Sequence, residues 1–285
     1  MIKYIIPTQP HEIRMQEAVI YGATLETEKP KVLKDYDTTS IDERRKFWAN
    51  VKIKQLRGVE SFLRQFLCYW SNMPAQGAKD FSFVALLDAY NKVNNCLYTP
   101  LQRVDSFTLF GTEWHTPIED MKESIFFQFV ECDERQTRTH DKGLSLLTYL
   151  PFLCAILLRQ KGESLFLNDK QVELREKAFM NVPLHVGLVC ITILEETKQS
   201  IKARFGKTLY SKLSSKERKA GAKNLQKGFG WYLTIKSLAE AQVFNLSGYT
   251  AIDSVQRANL WECLTYLSAQ NAQSAYQDRY YKLNE

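Results

Sequence analysis

Apolar residues recur at helical spacing along most of the chain. Phe62, Leu63, Phe66, Leu67 and Trp70 line one side of a helix, and Phe83, Leu86, Leu87, Tyr90 and Val93 repeat the pattern. Asp80 stands ahead of the second stripe, where a carboxylate can accept a backbone N–H and cap the helix. Two Ser-x-x-Glu strings, Ser40–Glu43 and Ser214–Glu217, have the form of capping boxes. They predict helices running to about Gln55, with a break or kink at Gly58, and to about Gln226. Trp231–Phe244 is amphipathic. Val255, Leu260, Cys263, Leu264 and Leu267 form the stripe of a last helix, capped by Asp253 and ending near Tyr276 in an Ala/Gln/Asn-rich stretch. Near the start, Pro10 suits a first helical turn, and Ile13, Ala18, Val19 and Ile20 give a modest apolar face before Gly22. The polar stretch from Ala23 to Thr39, interrupted by Pro30, predicts a loop.

The most apolar part lies in the middle. Leu144–Leu158 and Val182–Val189 flank a charged amphipathic stretch whose helix ends at Arg175 and Phe179. The first run contains Pro151 and stops at Arg159, short of the roughly 20 residues a membrane span requires. It predicts a buried core helix.

Two places have strand periodicity. Ile2, Tyr4 and Ile6 alternate with other residues up to Pro7, predicting an N-terminal strand. Val104, Phe107, Leu109 and Trp114 surround Gly111-Thr-Glu113, a hairpin signal near 103–116. Pro117 ends it, and Glu119 and Asp120 favour a helix start. The predicted fold is mainly α: an irregular multi-helix domain with an N-terminal strand and a small hairpin. Residues 1–197 form the helical core domain, and 198–285 hold a basic segment and C-terminal helices packed on it.

Composition adds little until charge is mapped. Sixteen Phe, fourteen Tyr and five Trp supply a large core. Six cysteines, none in a Cys-x-x-Cys pair, suit buried reduced thiols, and four scattered histidines give no zinc pattern. Met1–Pro7 is too short an apolar run, without a small-residue cleavage site, so no secretory signal is expected. Of the net charge of +6, residues 198–227 carry +9 (ten Lys/Arg, one Glu), leaving about −3 for the rest. Basicity is therefore a property of one segment.

The basic segment offers Lys207, Lys212, Lys216, Arg218, Lys219, Lys223 and Lys227 beside Trp231, a set suited to a phosphate backbone with stacked bases or to an acidic protein. Arg135 and His140 match the Arg-x4-His spacing of ribonucleases resembling the HEPN family, pairing proton transfer with phosphate stabilisation. Glu131, Asp133 and Glu134 read as a solvated acidic turn, with no partner motif for a metal nuclease. Trp114 and His115 suit packing beneath a flap, His185 a core histidine, and Trp261 packing in the last helix. No catalytic residue, metal site or cofactor is predicted.

Several strings occur in a telling order: Tyr4-Ile-Ile-Pro7 with His11-Glu-Ile13; Phe107-Thr-Leu-Phe-Gly-Thr-Glu-Trp114 with Pro117; Tyr149-Leu-Pro-Phe152 with Leu158-Arg-Gln-Lys-Gly-Glu163; and Phe179 with Val182-Pro-Leu184. In these the chain resembles morphogenesis proteins, similar to tail assembly chaperones, of tailed bacteriophages infecting Bacteroidetes-type hosts. The resemblance covers about residues 1–195 and leaves the basic segment and C-terminal helices unmatched. It implies a non-enzymatic phage assembly or virion structural protein acting by protein–protein binding. The implied partners are other phage structural proteins, such as a tape-measure or tail tube protein, in the host cytoplasm or the virion and without membrane association. The alternatives are a nucleic-acid-binding protein using 198–232 and, third, the HEPN-like ribonuclease.

Overall fold

The computed structural model describes residues 7, 9–25, 28–38, 47, 51, 53–71, 78–79, 81–98, 101–209 and 231–284. Its helices are α1 (Met15–Ala23), α2 (Lys31–Thr38), α3 (Ile53–Ser71), α4 (Phe83–Tyr98), α5 (Phe126–Asp141), α6 (Leu150–Leu157), α7 (Asp169–Phe179), α8 (Leu184–Leu209), α9 (Tyr232–Glu240), α10 (Ala251–Arg257) and α11 (Leu260–Asn284). Among the described residues β1 (Ser106–Leu109) and β2 (Thr112–His115) form an antiparallel hairpin, in register Phe107 to Trp114 and Leu109 to Thr112. The fold is mainly helical with a small β-hairpin, as the periodicity predicts. The N-terminal strand, both capping boxes and the Asp80 cap lie outside the described residues.

The chain divides into two compact units. The first comprises residues 1–101, 139–151 and 177–188. Its centre is aromatic: Tyr21, Phe66 and Tyr90 meet edge to face, with ring centroids 5.5 Å and 4.9 Å apart, and Trp70 lies 5.4 Å from Tyr21. The helical spacing of Phe62, Leu63, Phe66, Leu67 and Trp70 buries all five. Gly58 does not break α3, which runs through it. The 23–39 stretch, expected as a loop, contains α2. Pro30 O accepts from the amides of Leu33 and Lys34, and Leu33 and Tyr36 are buried. Asp37 then accepts from Tyr90 Oη at 2.7 Å and pairs with the buried Lys29. Gly187 is fixed by close approach, since a Cβ there would sit 2.6 Å from Met15 Cε and 2.9 Å from Leu150 Cβ.

The second unit comprises residues 102–138, 152–176 and 189–285. The hairpin covers part of its core through buried Phe107, Leu109 and Trp114. Backbone bonds join His115 and Arg159 in both directions, at 2.7 and 3.1 Å. The buried Arg159 spends its guanidinium on the carbonyls of Ala155, Leu158, Ser164 and Leu165 at 2.7–3.2 Å. Burial pushes its pKa down to about 10, and the cationic Arg175 adds to the shift.

At the C-terminal end one expected helix is two. Thr250, not Asp253, caps α10, while Asp253 accepts from the Thr250 hydroxyl. Ala258 is extended, and its carbonyl accepts from Phe126 N at 2.8 Å. Asn259 Oδ1 then takes the amides of Trp261 and Glu262, starting α11.

Candidate interaction surface

The predicted acidic turn, Glu131, Asp133 and Glu134, is instead part of α5, and it organises neighbouring residues. Asp133 accepts the Trp231 indole N–H at 2.8 Å and pairs with Lys198 at 2.7 Å. Lys198 also donates to Gln136, whose amide donates to Glu195 at 2.7 Å. Glu134 accepts from Trp231 N and pairs with Arg138. The Trp231 ring packs edge-on against Phe126 and Phe129 at 5.6 and 5.8 Å. Trp231 would have to leave both the acid and the rings before it could stack on a base. Of the predicted basic set, only Lys207, exposed near the end of α8, and Trp231 lie among the described residues. Lys212, Lys216, Arg218, Lys219, Lys223 and Lys227 lie outside them.

Arg135 and His140 are both on α5. Five positions on a continuous helix turn about 140°, so the two residues leave it on different sides. The Arg135 guanidinium lies 3.5 Å from Glu176 and 4.9 Å above the Phe152 ring. Burial raises the pKa of Glu176 and of Glu131.

The buried thiols are poor nucleophiles. Desolvation pushes Cys132 and Cys154 well above the usual thiol range, and Cys263 up to about 12. Among the described residues no group of three or more His, Cys, Asp or Glu converges as a metal site would. His185 is half-buried, and burial together with His11 lowers its pKa. An open groove of about 550 Å³ lies beside the hairpin, bordered by Arg103, His115, Glu119, Glu123 and Arg159. Arg103 there already donates to Pro117 O.

The clearest surface feature is the second half of α11. Its first half docks by Leu260, Cys263, Leu264 and Leu267, all buried, and Thr208 bonds Ser268 at 2.7 Å and Asn271 at 3.1 Å. From Ala269 onward every described side chain is exposed. These include Tyr276 (63%), Tyr280 (55%), Tyr281 (65%) and Leu283 (86%). Tyr276 and Tyr280 stack at 6.3 Å. At 100° per residue, Ala269, Ala272, Tyr276, Tyr280 and Leu283 share one stripe. Tyr276 lies nine positions from Leu267, half a circle away, so the stripe faces opposite the docked side. By composition this stretch is expected only as an Ala/Gln/Asn-rich helix end. The i, i+4, i+7 spacing of Tyr276, Tyr280 and Leu283 was the available signal.

Comparison with protein-family models, curated proteins and solved structures finds no match to this chain.

Proposed function

We propose that the chain is a non-enzymatic subunit-binding protein of bacteriophage assembly or of the virion, acting through an exposed helical surface. The observation that carries this reading is the solvent-exposed stripe of α11. A helix of this length without packing is marginal in water, and large apolar side chains gathered on one exposed face are characteristic of interaction sites. The resemblance over residues 1–195 supplies the class of partner: other phage structural or assembly proteins, with a tape-measure or tail tube protein as the first candidates. Helix-in-groove or helix-on-helix docking is the matching recognition mode.

The test is co-expression with neighbouring morphogenesis proteins of the same phage. A complex should form with the native chain and be lost with Tyr276→Glu combined with Leu283→Glu. Binding that is indifferent to both substitutions overturns the reading.

The charge of residues 198–227 favours a second reading, binding to nucleic acid. Affinity for DNA or RNA that falls steeply with salt and disappears with Lys216→Glu, Lys219→Glu and Lys223→Glu would establish it. Salt-independent or absent binding would dismiss it.

A further inference from the structure

We propose that the exposed half of α11 pairs with the same segment of a second copy of this chain, antiparallel, about a two-fold axis at Tyr276. This rests on the reading above that the end of α11 is a binding face, and adds the identity of its occupant.

The argument starts from the order of side-chain sizes along the stripe. Ala269 and Ala272 precede Tyr276, and Tyr280 and Leu283 follow it, all on the face opposite the docked side of α11. A two-fold axis perpendicular to the helix at Tyr276 relates position 272 to 280 and position 269 to 283. Tyr280 of each copy then shares a layer with Ala272 of the other, and Leu283 with Ala269. On either side of the axis, where Tyr276 meets its own copy, each large side chain meets a small one. A parallel pair would instead put large against large at one end and small against small at the other, leaving voids. Self-complementarity of this kind is what an isologous interface requires.

Charge points the same way. Residues 269–285 contain Asp278, Arg279, Lys282 and Glu285, which sum to zero. The segment has no net field to draw in nucleic acid, an acidic protein or an anionic lipid surface. Neutrality also removes the repulsion that opposes association of two identical helices. The docked side of α11 faces Thr208 and the end of α8, so a partner on the opposite side leaves those contacts intact. About four turns of helix on each side make a small interface. The expected affinity is therefore modest, on the order of tens of micromolar.

Light scattering on the full chain across that concentration range is expected to show a reversible dimer. Tyr280→Glu with Leu283→Glu should raise its dissociation constant at least about tenfold, while circular dichroism keeps the folded signature of the rest of the chain. Cysteine cross-linking reads the geometry, with the unsubstituted chain as the blank for its half-buried Cys68. Tyr276→Cys should join to itself. Ala272→Cys and Tyr280→Cys should join efficiently only when mixed. Self-joining of both single variants at positions 272 and 280, or a dimer that survives Tyr280→Glu and Leu283→Glu, overturns the proposal. A chain that stays monomeric also overturns it. In that case the binding-protein reading stands if the tail substitutions still abolish capture of a phage subunit, and falls with the dimer if they do not.

Discussion

Trp231 donates its indole N–H to Asp133 at 2.8 Å across 98 positions of sequence, and the same carboxylate holds the Lys198 ammonium at 2.7 Å. One acid on α5 thus ties the residue just before α9 to the middle of α8. Asp133→Ala leaves the Trp231 indole N–H without its acceptor and the Lys198 ammonium without its carboxylate partner. It should lower stability by about 1–3 kcal/mol, measured by denaturant unfolding. A double-mutant cycle with Trp231→Phe should show a coupling of about 0.5 kcal/mol or more. Additive effects would mean that the two residues do not act together.

Arg159 is the second internal tie. Its four carbonyl partners belong to the end of α6 and the loop that follows. Arg159→Met should cost about 2–3 kcal/mol, because buried acceptors lose their donor. Arg159→Lys should recover only part of this, since an ammonium has three donors and no planar fork. Equal melting curves for Arg159→Lys and the native chain would contradict this role.

Phe110 occupies the first central position of the hairpin turn at φ +55, followed by Gly111 at φ +75. Positive φ at both positions suits a type I′ turn, where asparagine and glycine are at ease and phenylalanine is not. Phe110→Asn should therefore stabilise the chain by about 0.5–1 kcal/mol, read as a rise in the thermal midpoint. A fall would show that the Phe110 contact with Trp114, at 6.4 Å between centroids, outweighs the relief of strain.

Glu131 predicts an unusual pH dependence. Burial is the main cause of its raised pKa, with Glu134 next. A carboxyl whose folded pKa exceeds its unfolded value binds more protons when folded, so stability falls as pH rises through that interval. Glu131→Gln should match the native chain below the ordinary carboxyl range and become the more stable of the two as pH rises toward neutrality. Unfolding curves at about pH 3 and pH 7 check the sign. A variant less stable than the native chain at pH 7 would refute it.

Thiol accessibility gives a simpler check. Cys96, Cys132, Cys154, Cys190 and Cys263 are buried, and only Cys68 is half-buried. A thiol reagent at pH 8 should label Cys68 first, and slowly because burial raises its pKa too. The other five should react only on unfolding.

Much of the fold could be read from local pattern. The hairpin was legible because Phe107, Leu109 and Trp114 alternate around Gly111 within ten residues. The stripes of α3 and α4 were legible because helical repeats need no knowledge of what covers them. α2 was missed because its pattern is only Leu33 and Tyr36, and what holds Asp37 is Tyr90, fifty-three positions away. The break between α10 and α11 was missed for a similar reason, since the carbonyl of Ala258 is taken by Phe126. Asp133 and Glu134 looked like a solvated turn because nothing near them in sequence announces Trp231 or Lys198.

Period, capping chemistry and turn residues act over a few positions, so the order of residues alone determined that this protein is mainly helical, where its hairpin lies and which helix faces are apolar. Which of those faces is covered depends on groups far apart in the chain meeting in space. Only the tertiary structure decided that Leu260, Cys263, Leu264 and Leu267 are buried while Tyr276, Tyr280 and Leu283, on the same helix and at the same period, face water. Burial is a property of the contacts an element makes, and those contacts are long-range.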